Sequence, residues 1–133
     1  MDSFKQAWII DDDKVYIYGL KRLIKLVKFS ENVQIYYDGY QAVNQILLLK
    51  KYKRIEEIPD VILLDINMPV WDGWEFIKHA DLKKINKKII LYVVSSSIKS
   101  DDLKKAQELE EVTNFVVKPI TTDKLKSMMR NAS

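Results

Sequence analysis

Short apolar runs alternate with segments of helical spacing from one end of the chain to the other. Residues 7–10, 33–37, 61–64, 89–94 and 115–117 are rich in Val, Ile, Tyr and Phe. Three of these runs are almost continuously apolar, as strands covered on both faces are. Between them, Leu20, Leu23, Ile24 and Val27 recur at i, i+3, i+4 and i+7, while Lys21, Arg22, Lys25 and Lys28 take the other side; this predicts an amphipathic helix. Val43, Ile46 and Leu47 repeat the spacing, as do Phe76, Ile77 and Ala80. Leu103 and Ala106 mark a fourth helix, and Leu125, Met128 and Met129 a fifth. Strand and helix alternating five times predict a mainly parallel sheet with helices on both faces and right-handed crossovers.

Five repeats fit an open, doubly wound α/β sheet, (βα)5, of the flavodoxin-like order 2-1-3-4-5, rather than a barrel, which takes eight. No linker, low-complexity segment or further repeat interrupts the pattern, so residues 1–133 read as a single domain with a core of about 5–130. The size of 133 residues is enough for a real core. Without cysteine there is no disulfide, thiolate metal site or cysteine nucleophile, and with His79 as the one histidine no multi-histidine zinc site forms within a chain. Three scattered glycines exclude the G-x-G-x-x-G and Walker loops. The net charge of +3 is small against 22 basic and 19 acidic residues and does not argue for nucleic acid. The polar N-terminus and the lack of a long apolar run predict a cytoplasmic chain with no membrane contact.

In an open parallel sheet, ligands bind beyond the carboxyl ends of the strands. The first run leads into Asp11-Asp12-Asp13, the third ends on Asp65, the fourth on Ser95-Ser96-Ser97, and the fifth on Lys118-Pro119. The predicted order makes these four strands neighbours, so the groups on their tips face one cavity. Carboxylates about 5 Å apart repel by about 3 kcal/mol at an effective dielectric near 20, so such a cluster calls for a cation. Oxygen donors alone point to a hard ion, magnesium first. A metal, an ammonium and a hydroxyl around one carboxylate would suit an incoming phosphoryl group. Taken singly, the residues have plainer readings: Asp11–Asp13 as helix caps, Asp65 as a turn residue before Pro69, Ser95 as the start of a polar loop, and Lys118 as a solvated charge. Their common position at one end of neighbouring strands favours a site.

Over roughly residues 5–130 the chain resembles the receiver domain of two-component response regulators, the CheY-like family. The segment Asp65-Ile66-Asn67-Met68-Pro69-Val70-Trp71-Asp72-Gly73 looks like the family's D-x-x-M-P-x-x-D-G signature, and the acidic cluster, Ser95 and Lys118-Pro119 follow in the family's order. The resemblance implies that Asp65 accepts a phosphoryl group from a sensor histidine kinase or a histidine phosphotransfer protein. It implies Mg²⁺ held by Asp12 and Asp65, by Asp11 through a water, and by the Asn67 carbonyl. Lys118 would pair with a phosphoryl oxygen, and the Lys118-Pro119 peptide would be cis. Ser95 would bind another oxygen, and Phe115, where relatives often carry tyrosine, would move inward with it. Output to a downstream protein would use the fourth helix, fifth strand and fifth helix around Leu103, Ala106, Phe115 and Leu125. On this reading the chain is a stand-alone signalling receiver, monomeric or weakly dimeric, not an enzyme, with no direct nucleic-acid contact and no output domain in these residues.

Two alternatives stay beside it: a Mg²⁺-dependent phosphatase or phosphotransferase working through an aspartyl phosphate, and the receiver fragment of a longer regulator. Against the phosphatase, Asn67 stands where a general-acid carboxylate is wanted. A histidine phosphotransfer bundle using His79 is contradicted by the five strand signals. Trp8 and Trp74 read as packing residues, Trp71 as a cover for neighbouring side chains or else a docking residue, and His79 as an exposed helical position. Lys50, Lys51, Lys53 and Arg54, and Lys83, Lys84, Lys87 and Lys88, read as solvated faces.

Overall fold

Five parallel strands form one sheet in the order β2-β1-β3-β4-β5. They are β1 (Phe4–Ile10), β2 (Ser30–Tyr36), β3 (Val61–Asp65), β4 (Ile90–Ser95) and β5 (Asn114–Val117), in a computed structural model that describes residues 3–97 and 99–132. The helices are α1 (Lys14–Val27), α2 (Gly39–Lys51), α3 (Gly73–Ala80), α4 (Ser100–Glu108) and α5 (Thr122–Asn131). β3 and β4 are buried at every position, which explains their unbroken apolar runs. One face of the sheet, with Trp8, Ile10, Ile62, Leu64, Leu91 and Val93, packs on Ala42, Val43, Ile46, Phe76 and Ile77 of α2 and α3. The other, with Ala7, Ile9, Leu63, Tyr92 and Val94, packs on Ile17, Leu20, Ile24, Leu125 and Met128 of α1 and α5.

The fold class and strand order are those expected, but several residues sit differently. β1 starts at Phe4 rather than residue 7, because the Phe4 ring packs on Phe29 at 5.0 Å and Phe4 N–H donates to the Phe29 carbonyl, drawing a mixed-polarity stretch into the pairing. β2 starts at Ser30 through its register with Phe4, and Tyr37 falls outside it. Leu47 is 44% exposed; of the four apolar residues 46–49, helical spacing turns Ile46 and Leu49 inward. Ala106 and Leu125, expected on the output face, are buried. They are the inward stripes of α4 and α5 and fasten these helices instead of offering contact. Lys87 is no solvated charge: its ammonium lies 3.2 Å from an Asp60 carboxylate oxygen and donates to the Ile55 and Ile58 carbonyls, bracing the entry to β3.

Asp13, Asp38, Asp72 and Thr121 cap α1, α2, α3 and α5, each accepting the N–H three residues on. These caps fix the helix starts at the carboxyl ends of the strands. No helix among the described residues is long and apolar enough to cross a membrane.

Candidate functional site

Strand register brings the polar tips to one level. Ile10 pairs with Leu64, so Asp11 follows β1 beside Asp65; Asp65 pairs with Val94, and Ser95 with Val117, the residue before Lys118. Asp11, Asp65 and Ser95 are buried, whereas Asp12 is exposed at the mouth. One oxygen from each of Asp11, Asp12 and Asp65 lies within 4.8 Å of the others, which is close enough for a single small cation. The Lys118 ammonium stands 2.8 Å from Asp11 Oδ2 and 3.7 Å from Asp65 Oδ2.

Backbone donors hold the carboxylates in place. Asp13 N–H donates to Asp11 Oδ1 at 2.9 Å, and Asn67 N–H to Asp65 Oδ1 at 3.1 Å. Burial pushes the Asp65 carboxyl up to about 6; the Asp11 charge adds to this, while the Asn67 N–H and Lys118 oppose it. Burial also raises Asp11, against the pull of Lys118 and the Asp13 N–H. Two buried carboxylates sharing one ammonium leave the pocket short of positive charge.

Ser95 Oγ accepts from Asn67 Nδ2 and from the Ser97 N–H, each at 3.3 Å, and the Ser95 carbonyl accepts the Lys118 N–H at 2.8 Å. The ends of β3, β4 and β5 are thereby laced together. The Lys118-Pro119 peptide is cis. The acidic triplet divides its work: Asp11 and Asp12 enter the pocket, while Asp13 caps α1 by accepting from Tyr16 N–H. Phe115 stands apart from the cluster, half-buried on β5 opposite Val93.

Tyr16, which no sequence motif marks, joins the site. Its ring lies beneath Lys118, with Nζ 4.2 Å from the ring centroid. Burial, followed by the charges of Asp11, Asp65 and Asp13, pushes its phenol pKa up, so the hydroxyl stays protonated. The signal was present, since Tyr16 precedes Leu20 and Leu23 at i+4 and i+7 and continues the inward stripe of α1. Gly39 is likewise unmarked by any motif: its N–H donates to the Trp71 carbonyl at 3.0 Å, joining the start of α2 to the loop after β3.

Trp71 is half-buried in that loop, stacked on His79 at 4.2 Å and edge-on to Tyr40 at 5.0 Å, which is the covering role rather than a free docking side chain. His79 is exposed as expected, though it also meets Glu75 at 3.2 Å. Trp74 packs with its indole N–H 3.3 Å from Asp102 and Lys105 over its ring.

Residues 7–130 match the family described as the response regulator receiver domain. The chain belongs to that family. This receiver is 29% identical over 122 residues to sporulation initiation phosphotransferase F of Bacillus subtilis, a match covering 92% of this chain and 88% of that protein. The crystal structure of a two-component response regulator from Cytophaga hutchinsonii superposes with a TM-score of 0.82 at 27% identity, covering 98% of both chains. The chemotaxis protein CheY4 of Vibrio cholerae shares the fold alone, with a TM-score of 0.76 at 19% identity over 98% of this chain and 100% of that one.

Proposed function

We propose that this receiver accepts a phosphoryl group on Asp65 in a Mg²⁺-dependent reaction, from a sensor histidine kinase or histidine phosphotransfer protein, and thereby switches its contacts with a downstream protein. The observation that carries this reading is the meeting of three carboxylates and one ammonium at the tips of adjacent strands, with Asp65 buried among them. An Asp65 carboxylate oxygen forms the bond to phosphorus as the bond from phosphorus to the donor imidazole breaks. The oxygen-only donor set of Asp11, Asp12 and Asp65 suits a hard divalent ion, and the Asn67 carbonyl would serve as a further ligand. An Mg²⁺ ion held by these residues would supply neutralisation of the charge on the transferring oxygens.

Lys118 pairs with a phosphoryl oxygen, and its present distance to Asp65 leaves only a short swing to reach one. Ser95 takes another oxygen, exchanging its contact with Asn67. That exchange, followed inward by Phe115, biases the α4–β5–α5 face around Leu103 and Phe115, both half-buried. Val15 and Tyr18 on α1 are 85% and 67% exposed near the mouth, which supports a macromolecular donor docking beside the site. Asn67, turned onto Ser95, supplies no general acid, and this supports a receiver over a phosphatase.

Intact mass after incubation with acetyl phosphate or phosphoramidate tests the reading. A single phosphoryl adduct is expected with Mg²⁺ and none with EDTA. Failure of both donors in the presence of Mg²⁺, or equal labelling in EDTA, would overturn it.

A further inference from the structure

We propose that Tyr16 is a positioning residue for Lys118, its ring face holding the ammonium between Asp11 and Asp65 at the place where phosphoryl oxygens arrive. The inference rests on Asp65 being the phosphoacceptor and goes beyond it to how the cation is aimed. A lysine head is a strongly hydrated point charge on a flexible stem, so it keeps one place only if partners surround it. Among the described residues Lys118 has three: Asp11 at 2.8 Å, Asp65 at 3.7 Å, and the Tyr16 ring centroid at 4.2 Å. Its side chain is only 15% exposed, which makes the attraction to the ring stronger than at an open surface.

The ring reaches this place through the helix cap. Asp13 accepts the Tyr16 N–H at 3.1 Å, which sets the first turn of α1 against the pocket. The third acidic residue of the cluster thus acts on the site through the aromatic it anchors. Burial of the hydroxyl, with the neighbouring carboxylates adding to it, keeps Tyr16 protonated, so it offers Lys118 a neutral face rather than a competing anion. This difference matters for transfer. A third carboxylate would hold the ammonium back, whereas a ring face has no fixed acceptor direction and lets the head slide from Asp11 towards a phosphoryl oxygen while remaining over it.

The test compares Tyr16→Phe, which keeps the ring, with Tyr16→Leu, which removes it, in the full chain and with and without Lys118→Ala. Initial rates of adduct formation from acetyl phosphate in Mg²⁺ are measured beside ¹³C spectra of reductively methylated lysines, with Lys118 assigned by its loss in Lys118→Arg. Tyr16→Phe is expected to keep both the wild-type rate and an upfield ring-current shift at Lys118. Tyr16→Leu is expected to lose the shift and to slow labelling about tenfold. With Lys118→Ala already present, Tyr16→Leu is expected to cost nothing more. Should Tyr16→Leu fail to fold, Tyr16→Met takes its place.

Equal slowing by Phe and Leu, wild-type labelling by Leu, or the same loss with Lys118 absent would each overturn the proposal. If the wild type takes no phosphoryl group, the reading of Asp65 fails instead. The ring-current arm then still decides the contact, and a Lys118 resonance at the ordinary lysine position would overturn it.

Discussion

Asp65→Asn is expected to melt at a higher temperature than the native sequence at pH 7 in EDTA, while taking up no phosphoryl group at all. Loss of the adduct follows from loss of the carboxylate nucleophile. The gain in stability follows from the pocket's charge. Burial and the Asp11 charge raise the Asp65 pKa from 3.8 to about 6 in the folded protein. Between these values the folded chain keeps a proton that the unfolded chain has released, so this group's contribution to stability is full below about pH 4 and is lost as pH rises through 6. At pH 7 the ionised carboxylate costs the metal-free fold up to about 3 kcal/mol by this route. An amide of the same shape carries no such cost, retains an oxygen for the Asn67 N–H, and is expected to recover about 2 kcal/mol. Thermal melts of both proteins at pH 5 and pH 7 in EDTA check the sign. The gap between variant and wild type should narrow at pH 5, and a variant less stable than wild type at pH 7 would refute the view of the pocket as short of cations.

Gly39→Ala is expected to destabilise the fold by about 3 kcal/mol and to slow phosphoryl uptake, although helix propensity alone predicts the opposite sign. An added Cβ would lie 2.3 Å from the Trp71 carbonyl oxygen and 3.1 Å from that of Asp72. This loop has little room to retreat. Trp71 already sits at a φ of 51°, Asp72 caps α3, and a Cβ on Gly73 would meet the Asp65 carbonyl at 2.8 Å. Displacement therefore passes towards Asp65. Gly19→Ala, in α1 with nothing within 4 Å of the new carbon, is the control and is expected to stabilise by up to about 1 kcal/mol. Denaturant unfolding of the two variants separates the clash from propensity.

The features legible in the sequence were those written as periodicity or as strand endings. Alternating β and α runs contained the sheet order, and the residue after each apolar run named Asp11, Asp65, Ser95 and Lys118, because register carries neighbouring strand tips to one level. Contacts between side chains far apart in sequence were not legible. Nothing local tells Lys87 to bridge Asp60 and two carbonyls, or Lys118 to rest on Tyr16. The same periodicity, followed one step further, would have kept Ala106 and Leu125 off the surface, since a residue on the inward stripe of a helix cannot also face a partner.

Trp71 gives the loop after Asp65 an optical label of its own. Its indole is stacked on the His79 imidazole and edge-on to the Tyr40 phenol, while its carbonyl is tied to Gly39. An indole emits according to the groups touching it, so a shift of this loop changes those neighbours and with them the intensity and colour of emission. Trp8 is buried in the core and Trp74 lies against Asp102 and Lys105 of α4, so a Trp74→Phe background leaves Trp71 as the indole whose surroundings change with the loop. Movement of this loop can therefore be followed through the fluorescence of the chain's own indole, without an added dye.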